Sequence, residues 1–179
     1  MKNIENLSID EIFNLAVTNQ QNNNLIYAEE LYKKIIKKEP QNIPANFNLG
    51  LLYRQLKDYK KSITQYEKVI KIKPNHIDAY NNLGSVYEIL KDYKKSISQY
   101  EKAIEINPNF AQGYYNLGVA LQGQSNFEKA ISNYKKAIEI KPDYAKSYNN
   151  LGSAVDKVVF MIANFKDQYP LSDGILEIL

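Results

Sequence analysis

The sequence contains no cysteine and only one histidine, His76. Without cysteine the chain can form neither a disulfide framework nor a thiolate nucleophile, and its redox compartment is left open. A single histidine excludes a metal site built from several imidazoles. The glycine-rich G-x-x-x-x-G-K loop that cradles phosphates is also missing. We therefore expect no catalytic residues, no metal site and no cofactor, so the chain is not predicted to be an enzyme.

Long apolar segments are missing too. The first residues, MKNIENLSIDEIFNLA, lack the continuous apolar stretch of a secretory signal, and no run approaches the about 18 apolar residues of a membrane span. We expect a cytoplasmic protein without a membrane span. Arg54 is the only arginine, so the mild net charge of +3 comes from lysine and does not indicate nucleic-acid binding.

What the chain does contain is a repeat of 34 residues. Four prolines and four glycines keep this spacing: Pro40, Pro74, Pro108 and Pro142, and Gly50, Gly84, Gly118 and Gly152. A period of about 34 residues is typical of helix–turn–helix units that stack side by side. Such an array needs about three units for stability, and the chain has more than four, so we expect it to fold alone.

Aligned on the prolines, the units share residues at fixed positions, counted here from the first residue of each unit. Position 7 is always leucine, position 8 is alanine or glycine, and position 24 is always tyrosine. This pattern resembles the tetratricopeptide repeat over residues 9–155. The resemblance implies an all-α fold, a right-handed superhelix (α-solenoid) of antiparallel helix pairs. The predicted segments are an N-terminal lead and helix cap (1–8), four repeats (9–42, 43–76, 77–110 and 111–144), a half repeat (145–157) and a divergent apolar cap or tail (158–179).

Polar residues mark the predicted helix ends. Ser8 and Glu11 have the S-x-x-E spacing of a capping box, which predicts that the first helix begins near Ile9. Short polar side chains that bind local backbone groups predict the turn inside each pair. They are Asn22 to Asn24, Asp58, Asp92 and Asn126. The lone histidine falls in a turn between repeats, where we expect it to be solvated.

Helix geometry separates the first helix of each repeat into two faces. At about 100° per residue, positions 4, 7, 8 and 11 point to one side, and positions 2, 5, 6, 9, 12 and 13 point to the other. We expect the first set to form the core, with Asn46 as its main irregular member and Tyr148 in the last unit. The resemblance implies that the second set lines a concave surface, with which stacked repeats hold partners.

Position 6 carries an asparagine in every unit: Asn14, Asn48, Asn82, Asn116 and Asn150. A carboxamide both donates and accepts, so this column can pair with the backbone of an extended peptide. Helices pack about 8–10 Å apart and an extended chain rises about 3.3 Å per residue, so one asparagine would meet roughly every third peptide residue. The column resembles the asparagine ladder of the O-linked N-acetylglucosamine transferases, which holds polypeptides. The alternative interpretation is structural, because such asparagines also bond between neighbouring repeats.

Six further residues complete the predicted peptide-binding site. They are Phe47, Asn81, Tyr115 and Asn149 at position 5, Ser85 at position 9 and Arg54 at position 12. The charges of this face nearly cancel, with Arg54 opposed by acidic residues such as Asp78 and Glu88. The cationic clamp with which chaperone-binding family members grip a C-terminal carboxylate is absent, because position 5 carries no lysine. Lysine pairs on the second helices are expected on a solvated outer face.

The repeat pattern ends after Val155. Five apolar residues can extend the last helix and cover the open end of the core, with Pro170 ending the helix: Val158, Val159, Ile162, Ala163 and Phe165. The alternatives are a docking or dimer surface, or an interface with a following domain. We expect the cap, and four apolar residues at the terminus leave these alternatives open: Ile175, Leu176, Ile178 and Leu179.

Two functions fit these features. The first is a protein-interaction scaffold that binds an extended peptide or a partner helix in the groove. The second is the substrate-recruiting N-terminal arm of a larger transferase, of the glycosyltransferase or sulfotransferase type, whose catalytic domain is not in these residues. Self-association through the apolar tail is a further expectation.

Overall fold

The computed structural model describes residues 7–168, with side chains up to Asn164. Within this range the chain forms nine α-helices and no strand. The helices are α1 (Ile9–Gln21), α2 (Leu25–Lys38), α3 (Ile43–Gln55), α4 (Tyr59–Ile72), α5 (Ile77–Ile89), α6 (Tyr93–Ile106), α7 (Ala111–Gly123), α8 (Phe127–Ile140) and α9 (Ala145–Gln168). The predicted capping box is confirmed, because the Ser8 hydroxyl accepts from the Glu11 N–H and the Glu11 carboxylate accepts from the Ser8 N–H.

A turn with one residue in the left-handed region joins the two helices of each pair. At position 15, φ is 61° for Asn23, 61° for Lys57, 59° for Lys91 and 61° for Ser125. In three of the four pairs the next residue caps the second helix: the side chains of Asp58, Asp92 and Asn126 each accept a hydrogen bond from the backbone N–H three residues later, whereas Asn24 makes no such bond. These caps confirm the turns predicted from short polar side chains.

The described chain divides into two compact units between Asn107 and Pro108. In the N-terminal unit, α1 to α6 form three helix pairs; α2 also contacts α3, and α4 also contacts α5. In the C-terminal unit, α7 pairs with α8, and α9 packs on α8. The irregular core residue Asn46 is fully buried, and its Nδ2 donates to the backbone carbonyls of Pro40 and Asn42. The backbone satisfies the donor group of this carboxamide, whereas its Oδ1 is buried without a hydrogen-bond partner among the described residues.

The tyrosine at position 24 explains the small residue at position 8. In three pairs, the tyrosine ring lies against the glycine so closely that a Cβ on the glycine would meet it at 2.8 Å (Gly50 and Tyr66), 2.7 Å (Gly84 and Tyr100) or 2.5 Å (Gly118 and Tyr134). These distances are shorter than normal carbon contacts, so a side chain at these three glycines would force the ring to shift, whereas the first repeat accommodates Ala16 beside Tyr32. Gly152 in α9 is different, because a Cβ at that residue would meet nothing within 4 Å.

The last helix, α9, runs through the place where the other first helices end. Val159 stands at the position that has a positive φ in the four pairs, and Phe160 stands at the position of the capping residue. A β-branched residue strongly disfavours positive φ, and phenylalanine cannot accept a capping hydrogen bond. The turn is therefore lost and α9 continues to Gln168.

The expected cap over the open end of the core is not formed by the described residues. The helix does extend beyond Val155, but Val159 is 59% exposed and Ile162 is 53% exposed. Tyr148, predicted as a core residue, is 50% exposed because the described residues contain no second helix of its own repeat to cover it. The Phe165 side chain, Pro170 and the terminal apolar residues Ile175, Leu176, Ile178 and Leu179 lie outside the described residues. No described helix has the length and apolar content needed to span a membrane.

Candidate functional site

In the N-terminal unit, the first helices lie side by side, with α1 in contact with α3 and α3 in contact with α5. Two cavities open on the face that these helices share. One, of about 370 Å³, is lined by Val17, Gln20, Gln21, Asn48 and Gln55; the other, of about 500 Å³, is lined by Gln20, Leu51, Arg54, Gln55 and Ile89. All of these residues are at positions 6, 9, 12 or 13, which belong to the set predicted to line the groove. We call the two cavities, which share Gln20 and Gln55, the N-terminal groove.

The asparagines of position 6 do not all form the same hydrogen bonds. Asn48 donates from Nδ2 to the Pro44 carbonyl at 3.0 Å, and Asn82 donates to the Asp78 carbonyl at 2.8 Å, so both bonds stay within one helix. Asn150 instead donates to the Tyr115 hydroxyl of the neighbouring first helix at 3.2 Å. The inter-repeat bond expected from the structural interpretation is therefore seen at Asn150, whereas Asn48 and Asn82 make local bonds.

The remaining two asparagines of this column differ in their exposure to solvent. Asn14 lies exposed on α1, and Asn116 is half-buried on α7 with polar interactions of its own. Asn149, which precedes Asn150 on α9, is exposed. In the C-terminal unit the predicted site residues Tyr115 and Asn150 are thus brought into direct contact, and Asn149 lies beside them in the chain without a hydrogen bond to Tyr115.

Two of the predicted site residues at position 5 pack against other aromatic rings of the protein. The Phe47 ring packs at 5.7 Å from the Tyr66 ring and stacks on the His76 imidazole at 5.2 Å, and Tyr115 packs on Tyr134 and Tyr144 at 6.0 and 5.2 Å. Asn81, which was predicted to line the groove, is only 7% exposed, so little of its surface is accessible to a ligand.

His76 is not a simple solvated turn residue either. Its Nδ1 accepts a hydrogen bond from the Ala79 N–H at 3.2 Å, which caps α5, and burial lowers the pKa of its imidazole. The contact with Phe47 places it between two successive repeats. The sequence did not predict this role, because histidine is an uncommon capping residue.

A second polar column, which was not predicted from the sequence, joins the two helices of three of the four pairs. The tyrosine at position 24 donates its hydroxyl to the residue at position 12 of the same repeat. The three bonds are Tyr32 to Gln20 at 3.0 Å, Tyr100 to Glu88 at 3.0 Å and Tyr134 to Gln122 at 2.8 Å. The sequence did contain a sign of these bonds, because position 12 carries a side chain that can accept a hydrogen bond in each of these three repeats.

The repeat 43–76 departs from this column, because position 12 is Arg54. Burial raises the pKa of Tyr66 to about 12, and its hydroxyl has no acceptor at position 12; the side chain that interacts with it is Ser62 of its own helix. Arg54 is half-buried, and its Nη1 lies 3.5 Å from the Ser85 hydroxyl oxygen, which brings two predicted site residues together. The expected balance of Arg54 by Glu88 is not seen, since Glu88 accepts from Tyr100 instead.

Metal-binding groups are not gathered anywhere in the described part of the chain. No cluster of three or more histidine, cysteine, aspartate or glutamate side chains occurs among residues 7–164. Exposed lysines of the second helices pair locally, as in Lys102 with Glu105 at 2.6 Å and Lys136 with Glu139 at 3.0 Å. These bonds agree with the predicted solvated outer face.

Family models of the tetratricopeptide repeat match most of this chain. Two matches of one model, described as tetratricopeptide repeat, cover residues 77–110 and 111–144, which are the bounds of two units defined by the proline spacing. Further models, described as TPR repeat and tetratricopeptide repeat, match residues 50–90 and 31–64. No curated protein matches the chain.

Solved structures with the same architecture confirm the all-α solenoid predicted from the sequence. A crystal structure of MamA is 27% identical, covers 79% of this chain and 83% of its own chain, and has a TM-score of 0.75. MamA residues 41 to the end from Desulfovibrio magneticus RS-1 are 23% identical over 90% of this chain and 97% of that chain, with a TM-score of 0.72. The first TPR of Spaghetti (RPAP3), bound to the HSP90 peptide SRMEEVD, is 22% identical over 66% of this chain and 94% of that chain, with a TM-score of 0.64.

Proposed function

Because this chain belongs to the tetratricopeptide repeat family, we propose that it is a protein-interaction scaffold that binds an extended peptide in the N-terminal groove. The observation that carries the proposal is the composition of the groove. Its two cavities are lined only by first-helix residues of the predicted binding face, and they combine carboxamides with the apolar side chains of Val17, Leu51 and Ile89. Mixed linings of this kind suit a peptide, which presents both backbone polar groups and side chains.

The hydrogen bonds of Asn48 support a backbone-reading role. A carboxamide has two N–H donors and an oxygen with two lone pairs. The bond from Asn48 to the Pro44 carbonyl uses one donor and fixes the side chain against its own helix. The oxygen and the second donor are left for a peptide N–H and C=O, and Asn82 makes the same local bond on the next first helix. Both side chains are thereby held in a fixed orientation before a ligand binds, which lowers the entropy cost of binding.

A peptide does bind this fold in RPAP3, whose structure contains the HSP90 peptide. At 22% identity that likeness concerns the fold, so the proposal for this chain rests on its own groove. The scaffold needs no cofactor and acts by bringing partners together rather than by chemistry. A partner helix is the alternative ligand, and it would use the apolar side chains without the carboxamides.

The test replaces Asn48 and Asn82 together with alanine. The probe is a library of extended, proline-containing nonapeptides with acetylated and amidated ends, and affinity is measured by fluorescence anisotropy. We expect the double variant to bind more weakly by about 1–3 kcal/mol, from about 0.5–1.5 kcal/mol per net hydrogen bond. Circular dichroism should show the same melting temperature as for the unmodified chain.

Asn133→Ala is the matched control. Asn133 makes the same local bond, from Nδ2 to the Lys129 carbonyl at 2.8 Å, but it lies on the second helix α8. The control should leave peptide affinity unchanged. Equal affinities for the double variant and the unmodified chain would refute backbone reading by these asparagines, and preference for a stably helical peptide would favour the partner-helix alternative.

Self-association through α9 is a second candidate interaction. The observation that favours it is the apolar surface of this helix, where Phe160 is 62% exposed and Met161 is 56% exposed. Exposed apolar patches promote association. Light scattering of the unmodified chain and of a Phe160→Ser, Met161→Ser variant distinguishes the outcomes: a concentration-dependent rise in mass that the variant abolishes supports self-association, and a constant monomer mass for both excludes it.

A further inference from the structure

The residue at position 12 differs in one repeat, where it is Arg54, and this residue lines a cavity of the N-terminal groove. Three repeats place an acceptor, Gln20, Glu88 or Gln122, against the hydroxyl of the position 24 tyrosine. The repeat 43–76 places a guanidinium there, which has only donors. The fully buried Tyr66 hydroxyl therefore lacks the position 12 acceptor of the other repeats, and Arg54 lies near it as a group with donors only.

No described carboxylate neutralises Arg54. Its hydrogen bond is to the Ser85 hydroxyl, at a distance of 3.5 Å that marks a weak contact. Glu88, on the next first helix α5, accepts a hydrogen bond from Tyr100 at 3.0 Å. Burial raises the pKa of its carboxyl, which disfavours the charged form. A carboxylate from outside could pair with this guanidinium through two parallel hydrogen bonds.

The position of Arg54 connects it with the proposed peptide path. Arg54 lines the larger cavity of the N-terminal groove, of about 500 Å³, which shares Gln20 and Gln55 with the cavity that Asn48 lines. A peptide whose backbone is bound at Asn48 therefore has a neighbouring cavity into which one of its side chains can enter. The rest of this cavity is uncharged, so Arg54 alone sets its electrostatic preference.

We propose that Arg54 is a specificity-determining residue of the groove and selects peptides with an aspartate or glutamate side chain at the residue that enters this cavity. The proposal rests on the proposed peptide-binding function and names the ligand class of the same site. The acidic side chain pairs with the Arg54 guanidinium, which lines the cavity and has no carboxylate partner among the described residues.

The repeats themselves provide the variants for a test. Arg54→Gln introduces the residue found at this position in two other repeats, and Arg54→Glu introduces the residue found in a third. Both can accept from Tyr66, so both variants should fold with a melting temperature equal to or above that of the unmodified chain. The probe is the end-blocked nonapeptide library, degenerate at one residue at a time, retained on the immobilised full chain and sequenced.

We expect the unmodified chain to enrich aspartate and glutamate over asparagine and glutamine at one peptide residue by at least about tenfold, as charge-assisted hydrogen bonds predict. The Arg54→Gln variant should show no acidic enrichment, and the Arg54→Glu variant should enrich lysine and arginine instead. For the unmodified chain, the acidic enrichment should decrease as the salt concentration rises. If the library is retained without acidic enrichment, or if Arg54→Gln keeps that enrichment, the role of Arg54 is refuted while peptide binding stands.

Two further results are also decisive. The anion could also be the C-terminal carboxylate of a peptide, and a second library with free C-termini tests this source. If the chain prefers these peptides, if the preference requires Arg54, and if internal acidic residues have no effect, the assignment to an acidic side chain is refuted. If the unmodified chain retains neither library, the proposed function and the role of Arg54 both fail.

Discussion

Leu83 and Leu151 occupy the same position of two repeats, as do their neighbours Gly84 and Gly152, yet their surroundings differ. Leu83 is 3% exposed in a cluster with Tyr66 and Val86, and Gly84 lies under the ring of Tyr100. On α9, Leu151 is only half-buried and Gly152 is exposed. The residues of the last unit keep the repeat pattern, but the second helix that would cover them is missing from the described chain. A repeat motif therefore encodes a surface, and the neighbouring helix determines whether that surface becomes a core.

The largest difference should come from truncating the two leucines. Leu83→Ala removes a side chain from a closed core and should lower the free energy of unfolding by about 2–5 kcal/mol. Leu151→Ala removes a side chain that keeps part of its contact with water, so its cost should be less than half as large. Urea unfolding followed by circular dichroism measures both. Equal costs would mean that α9 is covered by a part of the chain outside the described residues, and the comparison would fail.

The glycine pair should give the next largest difference. Gly84→Leu forces a side chain against the Tyr100 ring, where even a Cβ would lie at 2.7 Å, and should cost about 1–3 kcal/mol. Gly152→Leu enters open space on a helix and should raise stability by up to about 1 kcal/mol, because leucine is a better helix former than glycine. Differential scanning calorimetry of the two variants should show shifts of opposite sign. A loss of stability in both would indicate that Gly152 is also packed.

Particular residues show what the sequence can and cannot predict. The spacing of Pro40, Pro74 and Pro108 predicted the helix pairs, because proline and the capping residues act locally and leave a signal in every repeat. The exposure of Tyr148 was not predicted, since the pattern assumes that each unit has the same neighbours. Asn81 was placed in the groove by helix periodicity, but it is buried.

The polar details of the candidate site were harder to predict for a related reason. The link between Tyr100 and Glu88 depends on two side chains of different helices, and no local rule pairs them. The exception at Arg54 becomes visible only after the other three pairs are known. Periodicity thus identified the face that lines the N-terminal groove, whereas the contacts that distinguish one groove residue from another required the structure.

The smallest effect tests why α9 does not turn back, and it compares the same substitution at the same position. Lys57 has a φ of 61° in the turn between α3 and α4, so Lys57→Gly should stabilise the chain by up to about 1 kcal/mol, because glycine has no steric penalty there. Val159 is within the continuous helix α9, where Val159→Gly should cost a few tenths of a kcal/mol, roughly the difference in helix propensity. Chemical denaturation gives both signs, and Lys60→Gly, inside α4, controls for glycine in a helix. If Val159→Gly stabilised the chain as Lys57→Gly does, residue 159 would already adopt the turn conformation in the unmodified chain, which would contradict the continuous helix α9.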